Sequence, residues 1–243
     1  MEKNVILKVE NLVKRYHVNS EPILKNVNIE VYEGEIYGFL GRNGVGKSTT
    51  IKCITGLHDF DEGNIIINGY NLINEPLKAK QSFGFVPDNH IAYLGMTGRE
   101  YIDFIAGVYG KVSDYEEYFN YLVDYFEIRN AIDKLIGEYS HGMKQKICLI
   151  ASLIHRPKLW ILDEPMTGLD IMITKKLIDK MKEYKSEGNS IFLTSHNIDL
   201  VGKLCDRVAV VNSGKIMDVV DLENRTDMEE IEEIFLRLTE VVK

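Results

Sequence analysis

Short apolar runs broken by Asn, Glu and Gly dominate the N-terminal part of the chain. They lie at 5–7, 29–31 and 36–40, and apolar runs bounded by turn residues in this way are typical of β-strands. A further run within 63–70 ends in Asn68-Gly69, the dipeptide that favours a two-residue hairpin turn. The pattern therefore predicts a strand-rich N-terminal region.

Helical spacing replaces this pattern in the middle of the chain. From about 98 to 154, apolar and aromatic residues recur at helical intervals with almost no strand signal, which predicts a mostly helical region. Strand patterns then return at 159–162, 190–194 and 207–211, separated by helical segments at 174–186 and 198–205. Strands that alternate with helices predict a parallel sheet, and such sheets bind ligands at the carboxyl ends of their strands.

The composition is that of a soluble globular protein. Of 243 residues, 45% are hydrophobic and 27% are charged. The longest apolar runs fall far short of the ~20 residues that a membrane-spanning helix needs, and the first residues carry charge instead of the apolar block of a signal peptide. The three cysteines are scattered without C-x-x-C pairing, so we expect reduced thiols and a cytoplasmic location.

Negative charge is concentrated near the C-terminus. The formal net charge is −8, and residues 218–243 carry nine acids and three bases. This balance indicates no basic surface, so no nucleic-acid partner is expected. The same segment has apolar residues at helical spacing, namely Met228, Ile231, Ile234, Phe235, Leu238 and Val241. We predict an acidic amphipathic helix over 221–243, docked on its own domain or, alternatively, in contact with a dimer partner.

A glycine-rich motif follows the predicted strand at 36–40. It fits the pattern G-x-x-x-x-G-K-[ST], and the residues assigned to nucleotide binding are Gly41, Arg42, Asn43, Gly44, Val45, Gly46, Lys47, Ser48 and, in the helical pattern that follows, Thr49. Glycines let backbone N–H groups point at phosphate oxygens, Lys47 brings positive charge to the β- and γ-phosphates, and the Ser48 hydroxyl is suited to hold Mg²⁺. The alternative, an ordinary glycine-rich turn, is disfavoured by the strand before the motif and the helix after it.

Two acids follow the apolar strand at 159–162. A buried parallel strand that ends in Asp163 and Glu164 places both carboxylates at the edge of the sheet where the glycine-rich loop holds phosphates. Asp163 is then suited to bind Mg²⁺ through water, and Glu164 to polarise the water that attacks the γ-phosphate. The alternative is a strand end followed by a helix cap, because Asp favours cap positions.

Further motifs lie in a characteristic order along the chain. Residues 139–146 read Tyr-Ser-His-Gly-Met-Lys-Gln-Lys and resemble the signature of the ATP-binding cassette (ABC) ATPases, usually Leu-Ser-Gly-Gly-Gln. The full order also resembles that family: Tyr16, the glycine-rich loop, 85–88 at the Q-loop, the signature, Asp163-Glu164, 167–170 as the D-loop, and His196 after a strand. The resemblance covers essentially the whole chain.

The resemblance implies an α/β fold: a P-loop NTPase core with a mainly parallel sheet, an N-terminal antiparallel β subdomain and an inserted helical subdomain. A single domain over 1–243 would then comprise a nucleotide-binding core with the β subdomain at 1–87 and 155–220. The helical signature subdomain would occupy 88–154, and the acidic helix 221–243.

The resemblance also implies roles for single residues. Tyr16 would stack on adenine, Asp170 would act in the D-loop beside the nucleotide, and His196 would hold the attacking water at the γ-phosphate. Taken alone, a Tyr can be plain surface and a His at a strand end can be structural.

Ser140 is a good N-cap for a helix that begins at the signature, and helix N-termini bind anions. In the family, this tip, with Gly142 approaching closely, faces the γ-phosphate held by a second copy of the domain. One chain would then hold only half of each active site. For Ser140 alone, a simple helix cap is the other interpretation.

Two positions depart from the family pattern. Asp88 stands where the family mostly has Gln, so its expected contact with Mg²⁺ comes from a shorter and charged side chain. His141 replaces the first signature glycine, at a position where a side chain has to point away from the nucleotide. Gly142, the glycine that approaches the phosphate, is present.

Together these features predict the ATP-binding and ATP-hydrolysing subunit of an ABC transporter. It would dimerise around two ATP, with Mg²⁺, as a pair with itself or with a homologous ATPase subunit. It would drive a separate integral membrane permease from the inner face of the cell membrane. The signature ending and the C-terminal segment resemble those of ABC-2 or drug-resistance exporters. Ribosome-acting cassette proteins would carry two cassettes, DNA-repair types a long coiled coil, and a regulatory module would bind nucleotide without turnover.

Overall fold

Two β-sheets of different character form the framework of the chain. The computed structural model describes residues 4–17, 20–88, 93–222 and residue 233. In chain order the strands are β1 (Val5–Lys14), β2 (Leu24–Tyr32), β3 (Ile36–Leu40), β4 (Glu62–Ile67), β5 (Tyr70–Asn71), β6 (Phe83–Val86), β7 (Leu159–Asp163), β8 (Ser190–Ser195), β9 (Arg207–Asn212) and β10 (Lys215–Asp221). The first sheet has the order β2-β1-β4-β5 and is antiparallel, and the second has the order β10-β9-β3-β8-β7-β6.

The helices alternate with the strands of the second sheet. They are α1 (Lys47–Ile54), α2 (Pro76–Gln81), α3 (Gly98–Tyr109), α4 (Tyr115–Tyr125), α5 (His141–Leu153), α6 (Ile171–Ser186) and α7 (Ile198–Leu204). The three helices α3 to α5 follow one another without an intervening strand, as the helical spacing at 98–154 predicts. Among the described residues, no helix is both long enough and apolar enough to cross a bilayer.

The central strands of the larger sheet are parallel and buried on both faces. Every residue of β3, β7 and β8 is buried, which is why these segments read as continuous apolar runs. Alternate side chains enter two different cores: Trp160 and Leu162 pack with the α3–α5 region, whereas Leu159 and Ile161 pack with α1 and the antiparallel sheet. The sheet is therefore the wall between the two cores.

Several elements refine the sequence predictions. The hairpin at Asn68-Gly69 is confirmed, with φ of 51° and 80°, the left-handed values that this turn requires. The strands β6 and β10 and the short helix α2 were not predicted from the pattern. Asp221 ends β10, so the prediction of a helix starting at 221 is wrong at that residue. The rest of that predicted helix, apart from Glu233, lies outside the described residues.

Candidate functional site

The glycine-rich loop connects the end of β3 to the start of α1. Gly44 and Gly46 have φ of 82° and 112°, which side-chain-bearing residues rarely adopt. A Cβ on Gly46 would also lie 2.9 Å from Cδ2 of the buried Leu24, whose side chain would have to shift. The Gly41 N–H donates to the carbonyl of Ser195 at 3.2 Å, which ties the loop to the end of β8. The loop thus holds its backbone at the carboxyl edge of the sheet.

Lys47 lies at the base of this loop and is only 6% exposed. Its Nζ donates to the carbonyl oxygen of Gly41 at 2.7 Å and lies 3.2 Å from Glu164 Oε1. That carboxylate oxygen is buried and has no partner with hydrogen-bond geometry among the described residues, so the contact with Lys47 is an ion pair only. A buried ammonium and the buried oxygen of a partly exposed carboxylate therefore face each other next to the loop.

His196 approaches the same carboxylate from the other side. Its Nδ1 lies 3.0 Å from Glu164 Oε2, and its side chain is 58% exposed. Glu164 has φ of 48°, a left-handed conformation that costs a non-glycine residue about 1–2 kcal/mol. The glutamate is thus held between a buried lysine and a solvent-facing histidine.

Asp163 is buried at the end of β7. The Thr194 hydroxyl donates to its Oδ1 at 2.6 Å. Burial raises the pKa of the Asp163 carboxyl, hydrogen bonds from Thr194 and Ser48 oppose that rise, and the negative charges of Asp88 and Glu164 add to it. A carboxylate in this position gains strongly from a nearby cation, because the cation offsets the cost of burying its charge.

A cleft of about 590 Å³ is lined by Lys47, Glu164 and His196, and Asp163 lies beside its lining residue Glu164. Its floor and one wall come from the glycine-rich loop and the start of α1: Asn43, Gly44, Gly46, Lys47, Ser48 and Thr49. Ile23, Asp88, Glu164, Thr167 and His196 complete its lining. Tyr16 lies just beyond, with its hydroxyl 3.2 Å from Thr49 Oγ1 and its ring edge-on to His58.

The oxygen donors at this cleft suit a Mg²⁺ ion that is held together with phosphates. These described donors do not form a site that could hold a metal by protein side chains alone. Ser48, Asp163 and Asp88 offer hard oxygen atoms, which Mg²⁺ prefers. Within the described part of the chain, no group of three or more His, Cys, Asp or Glu side chains is arranged to hold a metal on its own. Mg²⁺ is usually held by one or two carboxylates together with substrate phosphates and water, and this donor set suits that arrangement.

The signature segment lies elsewhere. Ser140 caps α5, with its hydroxyl accepting from the N–H of Met143 at 3.3 Å, as its sequence position predicts. Ser140, Gly142 and Asp170 are not among the described residues that line the cleft. Asp170 instead caps α6, accepting from the N–H of Ile173 at 2.9 Å. The cap starts α6 at Ile171, three residues before the predicted helix.

Comparison with known proteins decides the family. The protein-family model described as "ABC transporter" matches residues 24–167. The chain belongs to the ABC transporter family. It is 33% identical over 224 residues to the linearmycin resistance ATP-binding protein LnrL of Bacillus subtilis (strain 168), covering 92% of this chain and 70% of that protein. This ABC subunit therefore binds and hydrolyses ATP.

Solved structures agree with this fold. A structure titled as the ATP-binding subunit of an ABC transporter has a TM-score of 0.87 and 29% identity, covering 95% of this chain and 99% of that one. An ATP-binding cassette in a dimeric, post-hydrolysis state bound to ADP and Pi has a TM-score of 0.81 and 23% identity, covering 90% and 100%. The predicted P-loop NTPase fold class is confirmed.

In the ABC subunit, two residues near the site make contacts that sequence reasoning missed. Thr194 contacts both acids of the cleft, and Gln145 of α5 donates from Nε2 to the carbonyl of Pro165 at 2.8 Å. The pattern of residues alone carried no signal for either, because each contact joins segments that only the fold brings together. His141 places its ring against Gly168 of the D-loop, which shows where the unexpected signature side chain goes.

Proposed function

We propose that this ABC subunit hydrolyses ATP in a cleft that one chain only half completes, and that it drives a separate membrane permease. The observation that carries the proposal is the line of Lys47, Glu164 and His196 along the cleft, with the Ser140 cap outside it. Three groups needed for phosphoryl transfer are together in one chain, whereas the signature tip is exposed. A second copy would supply the missing tip.

The roles follow from position and chemistry. Backbone N–H groups of residues 43–48 and the Lys47 ammonium would bind the phosphates, and Tyr16 would stack on adenine beside Thr49. Glu164 would accept the proton of the attacking water, and His196, through its contact with Glu164, would hold that water in line. When ATP binds, Lys47 Nζ would move from Glu164 to a phosphate. The Glu164 carboxylate would then be free to act as the base.

Ser48, Asp163 and Asp88 would hold Mg²⁺ together with the phosphates. The metal would neutralise developing charge on the phosphate oxygens. Asp88 lies on the cleft wall and its charge acts on Asp163, which supports this assignment. The family mostly has Gln at this position, so the metal contact would here come from a carboxylate.

The second copy would bring the Ser140 tip to the phosphates of the first. The free N–H groups at the start of α5 form an anion site, since a helix N-terminus carries unpaired donors and positive dipole charge. Gly142 and Asp170 would lie on this contact. The dimeric state of the related cassette with 23% identity supports the arrangement.

A permease would dock beside Asp88. A groove of about 280 Å³ runs between β6 and the helices α3 and α5, and its lining includes Phe85, Pro87, Tyr101 and Ile105. Val108, one turn further along α3, is 64% exposed. An exposed apolar groove next to the cleft suits a short apolar segment of a membrane subunit. The subunit would therefore act at the inner face of the membrane.

Export is the proposed direction. The Gly-Met-Lys-Gln ending of the signature resembles exporters of the ABC-2 or drug-resistance type, and the relative LnrL is named for resistance to linearmycin. Resistance by transport requires movement of the compound out of the cell.

Substitution of Glu164 by Gln tests the proposal. The amide keeps the shape but cannot accept the proton, so phosphate release should fall by ~10²–10⁴-fold, the scale for losing a general base. ATP binding should persist, and light scattering of the ATP-saturated variant should show a dimer. The base assignment is wrong if Glu164→Gln releases phosphate like the parent. The shared-site assignment is wrong if this variant stays monomeric with ATP and the cognate permease.

A further inference from the structure

The Thr194 hydroxyl lies between the two acids of the cleft. The side chain is fully buried at the end of β8. Its Oγ1 donates to Asp163 Oδ1 at 2.6 Å and accepts from the backbone N–H of Glu164 at 3.1 Å. One hydroxyl thus holds the carboxylate of one acid and the backbone of the next.

Strand register puts the hydroxyl there. In the parallel pairing of β7 with β8, Asp163 is the partner of Thr194. The two residues therefore lie side by side at the same edge of the sheet, Asp163 as the last residue of β7 and Thr194 one residue before the end of β8. A valine of the same shape would remove the Thr194 donor from the buried Asp163 carboxylate, which would keep only the hydrogen bond from Ser48. It would also leave the part-buried N–H of Glu164 without this acceptor.

Glu164 has a particular need for such a contact. Its φ of 48° places it in the left-handed region, which persists in a non-glycine residue only where the surroundings enforce it. The end of β8 contacts this residue twice: Thr194 binds its backbone N–H, and His196 lies 3.0 Å from its Oε2. Backbone and side chain of Glu164 are both oriented from the same strand end.

We propose that Thr194 is a positioning residue for ATP hydrolysis, which fixes the metal-facing carboxylate of Asp163 and the backbone of Glu164 in one relative geometry. The inference rests on the proposed roles of these two acids. It assigns Thr194 no contact with the nucleotide. Partners of metal ligands typically change metal affinity or activity by 10–100-fold when they are removed.

Thr194→Val and Thr194→Ser separate the hydroxyl from the packing of the side chain. For Thr194→Val we expect kcat to fall by ~10–100-fold, while KM for ATP stays within about threefold. Thr194→Ser should stay within about threefold of the parent, since it keeps the hydroxyl. Ser190→Ala is the matched control: Ser190 is buried on the same strand, and its hydroxyl accepts from the N–H of Gly34 far from the cleft.

A binding measurement provides a readout that does not depend on turnover. A fluorescent ATP analogue should bind Thr194→Val and parent equally in EDTA. When Mg²⁺ is added back, the Mg²⁺ concentration that gives half of the change in analogue binding should be ~10-fold higher in the variant. Parent-like kcat and Mg²⁺ dependence in Thr194→Val would overturn the inference. A Thr194→Ser variant as impaired as Thr194→Val would overturn it too, because the methyl packing would then be responsible.

Two further comparisons keep the outcome clear. If Thr194→Val gives little folded protein, Thr194→Ala replaces it and is compared with Thr194→Ser, and equal kcat in that pair overturns the inference. If Glu164→Gln loses turnover but Thr194→Val behaves like the parent, only the proposed role of Thr194 is overturned. A parent-like Glu164→Gln overturns the proposed base, and the Mg²⁺ titration still tests Thr194.

Discussion

The catalytic edge and the signature tip of this ABC subunit differ in how completely each is built. At the catalytic edge, Lys47, Glu164 and His196 come from three separate segments, and Lys47 and His196 each lie within 3.2 Å of the Glu164 carboxylate. At the signature tip, Ser140 and Asp170 each cap their own helix and face solvent. The difference is what the proposed shared site requires: the proposed hydrolytic groups meet within one chain, and the helix tip meets none of them there.

Mixing two inactive variants tests that division most strongly. Lys47→Met removes the buried cation of the cleft, and Gly142→Asp puts negative charge at the tip that should meet phosphate. Each variant alone should lose nearly all turnover. An equimolar mixture should recover about one quarter of parent activity, because random pairing makes half of the dimers mixed and each mixed dimer has one intact site of two.

Phosphate release at saturating ATP measures the recovery. A mixture as inactive as its components would break the comparison, because it would mean that the cleft and tip of one chain serve the same site. Each variant alone, at the same total protein concentration as the mixture, is the control.

A smaller loss of turnover is expected from breaking the hydrogen bond between Gln145 and Pro165, which connects the helix of the tip to the catalytic edge. Gln145 is buried in the helix that begins at the tip, and its Nε2 donates to the carbonyl of Pro165, the residue after Glu164. Gln145→Met should lower the free energy of unfolding by about 1–3 kcal/mol, because a buried carbonyl loses its donor. It should also lower kcat by ~10-fold, since a shift of the backbone at Pro165 moves Glu164.

Ser152→Ala is the matched control for that link. Ser152 lies on the same helix and accepts from Trp160 Nε1 at 2.9 Å, in the core and away from the cleft. Denaturant unfolding and steady-state kinetics of both variants decide the outcome. An equal loss of kcat in the two variants would show a general effect of stability and no specific link.

The smallest effect on turnover is expected beyond the other end of α5, where the change concerns stability alone. Burial lowers the pKa of His155 to about 4, against a weaker opposing effect of its hydrogen bond to the carbonyl of Phe83, while Tyr109 stacks on its ring. The unfolded chain, with an ordinary pKa near 6.5, binds the proton more readily. Stability should therefore fall as pH drops from about 6.5 toward 4, by at most ~3 kcal/mol.

Urea unfolding of the parent and of His155→Phe at pH 7.5, 6 and 5 measures the loss of stability that protonation of His155 causes. It is the difference between the two proteins in how stability changes with pH. The variant lacks the titrating ring, so its stability should depend less on pH in that window. Equal pH dependence in both proteins would contradict the assignment. If His155→Phe alters the pH dependence of stability but leaves turnover unchanged, the contrast between this structural residue and the residues of the catalytic edge becomes sharper.

Local signals were sufficient for much of the fold and for the motifs. Continuous apolar runs at β3, β7 and β8 predicted buried strands, and Asn68-Gly69 predicted its hairpin. The pattern missed β6 and β10. The β10 edge strand is mostly exposed and lacks a strong apolar signal, and the β6 segment was read only as part of the Q-loop.

The sequence by itself determined the local chemistry: the glycines and Lys47 of the phosphate-binding loop, the paired acids at 163–164 and the capping serine at 140. These depend on spacing within a few residues, and short-range rules for turns, caps and strands describe such spacing. The tertiary structure alone decided the contacts of Lys47 with Glu164 and of Thr194 with Asp163. Those contacts follow from the order and register of strands far apart in the chain, which no local pattern specifies.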